Sequence, residues 1–263
     1  MGSNSASSSS FKSPSSKTTT VKTQVKSYST PSTKTTSSSG SASIKSTVSN
    51  IKLGFNEFEV RNSLNRLQNI YNDMLSGLVN FTNSFLNNMG NSWACPEAIS
   101  FARNIFCPEF NSFVTKIDNS IQNLFEVINN SARSWAASSN APYNKINFVR
   151  FAHKSFDALS FRNDINGNVG IDTVLANSNL SYLDKINNLL NTSLSNMVNV
   201  LRTTSFVGKG QQEALIQSVN SVKNGINNKY TSIMVEIKKQ IKATIEKYVQ
   251  TANTVSSSFS SLK

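Results

Sequence analysis

Between residues 60 and 86 the apolar positions Leu64, Leu67, Ile70, Tyr71, Met74, Leu75, Leu78, Phe81 and Phe85 step by three and four, with Asn, Ser and charge between them. This spacing puts them on one face of a 3.6-residue helix and predicts an amphipathic helix some 40 Å long at 1.5 Å per residue. Residues 87–92, Asn-Asn-Met-Gly-Asn-Ser, supply glycine and cap-competent side chains and are read as a turn. Pro96 and Glu97 suit the first turn of a second helix, where a missing N–H costs nothing and negative charge meets the helix dipole. That helix is expected over 96–137, with a kink or restart at Pro108. Its stripe runs Ala98, Phe101, Ala102, Ile105, Phe110, Phe113, Val114, Ile117, Ile121, Leu124, Phe125 and Ile128. Two long helices joined by a short turn fold back on each other to bury these faces.

The pattern then repeats. An offset of 116 residues carries Leu64, Leu67, Ile70, Met74, Leu78, Phe81 and Phe85 onto Leu180, Leu183, Ile186, Leu190, Leu194, Met197 and Leu201. The same offset crosses the turn, carrying Glu97 and Ala98 onto Glu213 and Ala214, and Val114, Ile117, Ile121 and Phe125 onto Tyr230, Ile233, Ile237 and Ile241. One apolar stripe matches itself at many shifts, but one shift held through two helices and their turn indicates a duplicated hairpin. The second copy is expected to begin near Asp172, to turn through Phe206-Val207-Gly208-Lys209-Gly210, and to end in a helix marked by Leu215, Val219, Val222, Ile226, Tyr230, Ile233, Ile237, Ile241, Ile245 and Tyr248. Between the copies, Phe148, Phe151, Ala152, Ser155, Phe156 and Leu159 predict a shorter helix, and 163–168 read as turn.

Composition changes the picture mainly at the start. The first 53 residues are almost entirely Ser, Thr and Lys, with no acid before Glu57, and offer too little apolar surface to offset chain entropy. A disordered tail is expected over 1–55. Its lysines, Lys12, Lys17, Lys22, Lys26, Lys34, Lys45 and Lys52, carry much of the net charge of +12. The tail has no Arg and only Phe11 and Tyr28 for stacking, so it reads as a solvated tether, with an anionic surface as a secondary partner and no specific nucleic acid. No apolar run reaches the roughly 18 residues of a membrane span, and no Sec-type apolar core is found near the start. Met1-Gly2 lacks the Ser or Thr at position 6 that an acylation signal wants.

The reactive residues are sparse. His153 is the only histidine, so histidine-based triads and multi-histidine zinc sites need it or are ruled out. The acids are scattered, and no recurring pair suggests acid/base work. Asp164, Asn166 and Asn168 have the first spacings of a calcium loop, but position twelve is Leu175, and Gly208-Lys209-Gly210 lacks the full phosphate-loop spacing. Cys95 and Cys107 read as unpaired thiols. The expectation is a chain with no catalytic, metal or cofactor site.

The first turn, Trp93-Ala94-Cys95-Pro96-Glu97-Ala98 with Phe101 one helical turn on, resembles the WXG family of helical-hairpin proteins exported by type VII (Esx-type) secretion systems. Cys95 stands where the family has glycine. Phe206-Val207-Gly208 resembles the same motif in the second copy, three residues earlier than the strict offset. A flat aromatic covers the helix ends and a small residue permits the reversal. The resemblance implies a non-enzymatic export partner, effector or chaperone-like module, a tandem copy being similar to a fused hairpin dimer. It also implies a protein partner, another copy or a different chain, met through helical faces around Trp93, Cys95, Ala98, Phe101, Phe206 and Gly208. The family's export signal, Tyr-x-x-x-Asp/Glu, is departed from at Tyr143 (followed by Asn147) and at Tyr248 (followed by Ala252), which implies either a chain not exported by itself or a signal carried by a partner.

Together these readings give an all-α protein made of two tandem long hairpins in an elongated four-helix bundle. The boundaries are a tail over 1–55, a first hairpin over 56–137, a linker with a short helix over 138–170, a second hairpin over 171–252 and a polar tail over 253–263. The implied location is outside the cell without a Sec signal, or the cytoplasm before export. Two other classes fit the sequence: a filament, coat or adhesion component with a basic tether, and a membrane-active protein that opens to expose its Phe-rich face.

Overall fold

The computed structural model describes residues 54–158, 169–204, 206–207 and 211–261. Residues 1–53 of the expected tail, the calcium-like run at 164–168 and Gly208 to Gly210 lie outside the described residues, and the tail's last two positions form β1. The described part is all-α apart from four two-residue strands. In order it comprises β1 (Gly54–Phe55), α1 (Glu57–Ser92), β2 (Trp93–Ala94), α2 (Pro96–Phe101), a π-helical turn (Ala102–Phe106), α3 (Cys107–Ser138), β3 (Gly170–Ile171), α4 (Thr173–Asn179), α5 (Ser181–Arg202), β4 (Phe206–Val207) and α6 (Gln211–Ser260).

Both copies start in the same way. The Asn56 side chain accepts from the Glu59 N–H at 3.2 Å and starts α1, and the Asp172 carboxylate accepts from the Leu175 N–H at 2.9 Å and starts α4. These two caps are separated by the sequence offset, as are β1 and β3. So are Val60 and Ala176, both fully buried one turn into their helices. Each copy's opening strand pairs antiparallel with the other copy's turn: Gly54 faces Val207 and Phe55 faces Phe206, while Trp93 faces Ile171 and Ala94 faces Gly170. Polar links repeat the reciprocity. Thr204, at the end of α5, donates to Ser63 Oγ at 2.6 Å, and Asn179 Nδ2 lies 3.8 Å from the sulfur of Met89, near the end of α1.

The long helices touch in a closed ring, α1 on α5, α5 on α6, α6 on α3 and α3 on α1, around one apolar core. Packing is closest between α1 and α5. Gly77 makes room there, since a Cβ on it would stand 2.7 Å from Leu189 Cδ2. Its counterpart at the offset is the small, buried Ser193.

Three expectations are corrected. Residues 87–92 do not form the turn but remain in α1, because Met89 and Ser92 are buried and Ser92 Oγ bonds back to the Met89 carbonyl at 3.2 Å. Tertiary burial outweighs the weak helix propensity of Asn, Gly and Ser. At Pro108, where a kink or restart is expected, a π-helical turn in which the Cys107 N–H reaches back to the Ala102 carbonyl leads into α3, and the proline stands in its first turn. The linker helix is not formed among the described residues. Residues 141–157 have no regular secondary structure and lie as an extended strap on α1 and α3. Lastly, helix continues through the expected polar tail to Ser260, where Thr251, Thr254, Ser257, Ser258 and Ser260 return their hydroxyls to carbonyls four residues back.

Candidate functional site

The turn residues singled out by sequence are buried inside the chain. Trp93 and Phe101 are 4% and 5% exposed, and Cys95 and Ala98 are similarly covered. The Trp93 and Phe101 rings lie 5.6 Å apart, and Phe106 stacks between Phe85 at 4.6 Å and Phe110 at 4.4 Å. The late turns of α6 close over them. A hydrogen bond with Cys95, then burial, raises the Tyr248 phenol, and the same thiol is the first cause of a lowered Glu97 carboxyl. Lys247 stands 3.6 Å from Glu97. Trp93, Cys95, Ala98 and Phe101, expected at a partner surface, are covered here by the chain's own helices. Phe206 is not brought to this turn, since its backbone pairs with β1, and Gly208 lies outside the described residues.

A second arrangement, not anticipated from sequence, is the strap in its groove between α1 and α3. Gln68 donates to the Val149 carbonyl at 2.8 Å and accepts from the Val149 N–H at 3.0 Å. Asn129 treats Ile146 in the same way at 2.9 and 3.0 Å, and Asn111 treats Phe156 at 3.0 and 2.8 Å. Between these clamps the Phe151 N–H donates to the Tyr71 hydroxyl at 2.9 Å, and that hydroxyl donates to Asp118 Oδ1 at 2.7 Å. Burial is the main cause of the raised Tyr71 phenol, which therefore stays a neutral donor. Aromatic rings anchor the strap: Phe148 lies 4.8 Å from Tyr71 and 5.2 Å from Phe125, and Phe156 meets Phe110 edge-on at 6.2 Å. Arg150 is held by Asn119 at 2.8 Å and Gln122 at 2.9 Å.

The second copy closes the equivalent space directly. At the positions of Gln68 and Gln122 stand Asp184 and Lys238, joined by a 2.7 Å ion pair. At the position of Asn111 stands Asn227, which donates to Asn191 at 2.9 Å. Lys223 adds a bond to Ser195 at 3.0 Å.

A third feature is the outer end of α6. Its core stripe, Ile237, Ile241, Ile245 and Tyr248, continues at the same spacing through Ala252, Val255 and Phe259, but Val255 is 47% and Phe259 67% exposed.

No known family, curated protein or solved structure matches this chain. Function has to be argued from these surfaces. Among the described residues no group of three or more His, Cys, Asp or Glu side chains could hold a metal ion, and no helix is long and apolar enough to cross a membrane. His153 lies on the strap, with Nδ1 2.9 Å from the Lys154 carbonyl. Cys95 and Cys107 are free and buried, and burial, with the charge of Asp157, pushes the Cys107 thiol up to about 11. The ends of α3 and α6 leave an open cleft of about 360 Å³ beside Trp135, whose Nε1 donates to Gln211 at 3.1 Å.

Sequence reasoning missed the clamps because Gln and Asn on a helix read as solvated positions. No local signal marked the strap, since Phe148, Phe151, Ala152, Ser155 and Phe156 keep the spacing of a helix face.

Proposed function

We propose that this chain is a non-enzymatic helical interaction protein, two tandem hairpins forming one elongated four-helix bundle, that docks another helical hairpin along the outer end of α6. The observation carrying this reading is the continuation of the core stripe beyond the bundle. A helix that buries Ile241 and Ile245 and then presents Val255 and Phe259 at the same spacing offers a second bundle the contact its own body already uses. No charged side chain falls between Lys247 and Ser261, so two copies of this stripe meet without repulsion. The Ser- and Thr-rich end is also a poor helix by itself, and a partner covering its stripe stabilises it. Docking of hairpin on hairpin, with an aromatic and small-residue turn at Trp93, supports kinship of role with type VII export partners or substrates. The Lys-rich tail is then a tether.

The test uses the full chain with Val255→Asp and Phe259→Asp, both exposed, so folding free energy should change by no more than about 0.5 kcal/mol. Sedimentation velocity over a concentration series should show self-association for the wild type and its loss in the variant. Cells with an active type VII system should release the wild type and retain the variant. A wild-type chain that stays monomeric, or that remains wholly inside such cells, overturns the corresponding part of the reading.

A further inference from the structure

We infer that the groove between α1 and α3 is a binding site for an extended peptide recognised through its main chain, and that residues 143–156 fill it as an internal ligand. The inference is independent of the α6 docking surface. A carboxamide that donates to the carbonyl and accepts from the N–H of one residue supplies the bond pair a neighbouring strand would supply. Gln68, Asn129 and Asn111 each do this, to Val149, Ile146 and Phe156, and the Tyr71 hydroxyl takes a further N–H from Phe151. Such contacts are indifferent to the side chain of the residue they hold. They suit any segment that is extended there.

Specificity comes from the anchors between the clamps. Phe148 enters against Tyr71 and Phe125, Phe156 against Phe110, and Arg150 meets the amide oxygens of Asn119 and Gln122. The occupant in trans is accordingly an extended segment of a partner polypeptide with aromatic residues eight positions apart and a basic residue two after the first. Two further facts favour exchange. The second copy closes the same space with the Asp184–Lys238 pair and the Asn227–Asn191 bond, so the fold does not require a strap, and only the first copy keeps a chain-sized groove. The strap is also bordered near its end by an open space of about 420 Å³ beside Val79, Leu86 and His153. A tethered occupant competes at roughly millimolar effective concentration, so weakening it should reveal binding in trans.

A fluorescein-labelled peptide carrying the sequence of residues 142–158 is titrated into three full-length chains and followed by anisotropy. The first is the wild type, the second carries Phe148→Ala and Phe156→Ala in the strap, and the third adds Asn111→Ala and Asn129→Ala in the groove. The expected result is weak binding to the wild type, about tenfold or more tighter binding to the strap variant, and loss on the groove variant. A scrambled peptide should bind none of them. Circular dichroism checks folding. Should the double strap variant misfold, Val149→Pro replaces it, deleting the N–H that Gln68 accepts and leaving both anchors in place. A folded strap variant whose residues 143–156 exchange amide hydrogen freely, yet which binds the peptide no better than the wild type, overturns the inference.

Discussion

Replacing Tyr71 with Phe removes one oxygen from a fully buried ring and one of the links between the strap and the helices. The hydroxyl donates to Asp118 at 2.7 Å and accepts from the Phe151 N–H at 2.9 Å. Asp118 is only 7% exposed, so its carboxylate loses a donor that water cannot readily replace. A hydrogen bond to a charged group contributes about 1.5–3 kcal/mol, and the partly exposed Phe151 amide adds about 0.5–1 kcal/mol. The expected loss is roughly 2–4 kcal/mol, or a fall in Tm of roughly 4–16 °C for a folded part of this size. Tyr230→Phe is the control. Its ring is equally buried, but its hydroxyl donates at 2.6 Å to the Leu183 carbonyl, a neutral acceptor, and its loss should cost about 1 kcal/mol. Urea denaturation gives both numbers, and a cycle with Asp118→Asn isolates the charged pair. A Tyr71→Phe loss no larger than that of Tyr230→Phe, or a coupling to Asp118 below about 0.5 kcal/mol, would refute this account of the groove.

Trp93→Ala should behave as a core truncation, costing about 3–5 kcal/mol in urea unfolding, because the indole is 4% exposed against Phe101. A loss below about 1 kcal/mol together with abolished self-association would instead restore the turn as a docking surface. Stability should also fall in alkali. Burial raises Tyr71, Tyr230 and Cys107, the last to about 11, whereas in the unfolded chain thiols ionise near about 8.5 and phenols near about 10. Above those values the unfolded chain binds fewer protons than the native one. The stabilisation is thus complete below about pH 8.5 and is lost as pH rises through the folded values. Urea midpoints from pH 8 to 10.5 should decline with growing slope, and a flat profile would contradict the burial of these groups.

The helices were legible because their stripes are long and regular: apart from the half-buried Ile70, Phe81 and Val222, the steps of three and four from Leu64 to Phe85 and from Leu215 to Ile245 are the same residues the structure buries. The 116-residue offset was legible too, and it extends to the Asn56 and Asp172 caps and to the two opening strands. Local signals failed where burial outvoted them. Asn-Asn-Met-Gly-Asn-Ser stays helical over a buried Met89.

The sequence by itself determined the helical class, the duplication, and the starting points of its copies, because each rests on spacing within tens of residues. Only the tertiary structure decided what those elements do to one another. Trp93 looked like a surface anchor and is core, since β3, more than 70 residues on, pairs with its strand and Phe101 packs on its ring. The phenylalanines of the linker looked like a helix face and are instead the anchors of an extended strap. A chain without regular structure of its own holds a conformation only where other residues complete its backbone hydrogen bonds. Here these are Gln68, Asn111, Asn129 and Tyr71, side chains from two helices that no local pattern could have joined to it.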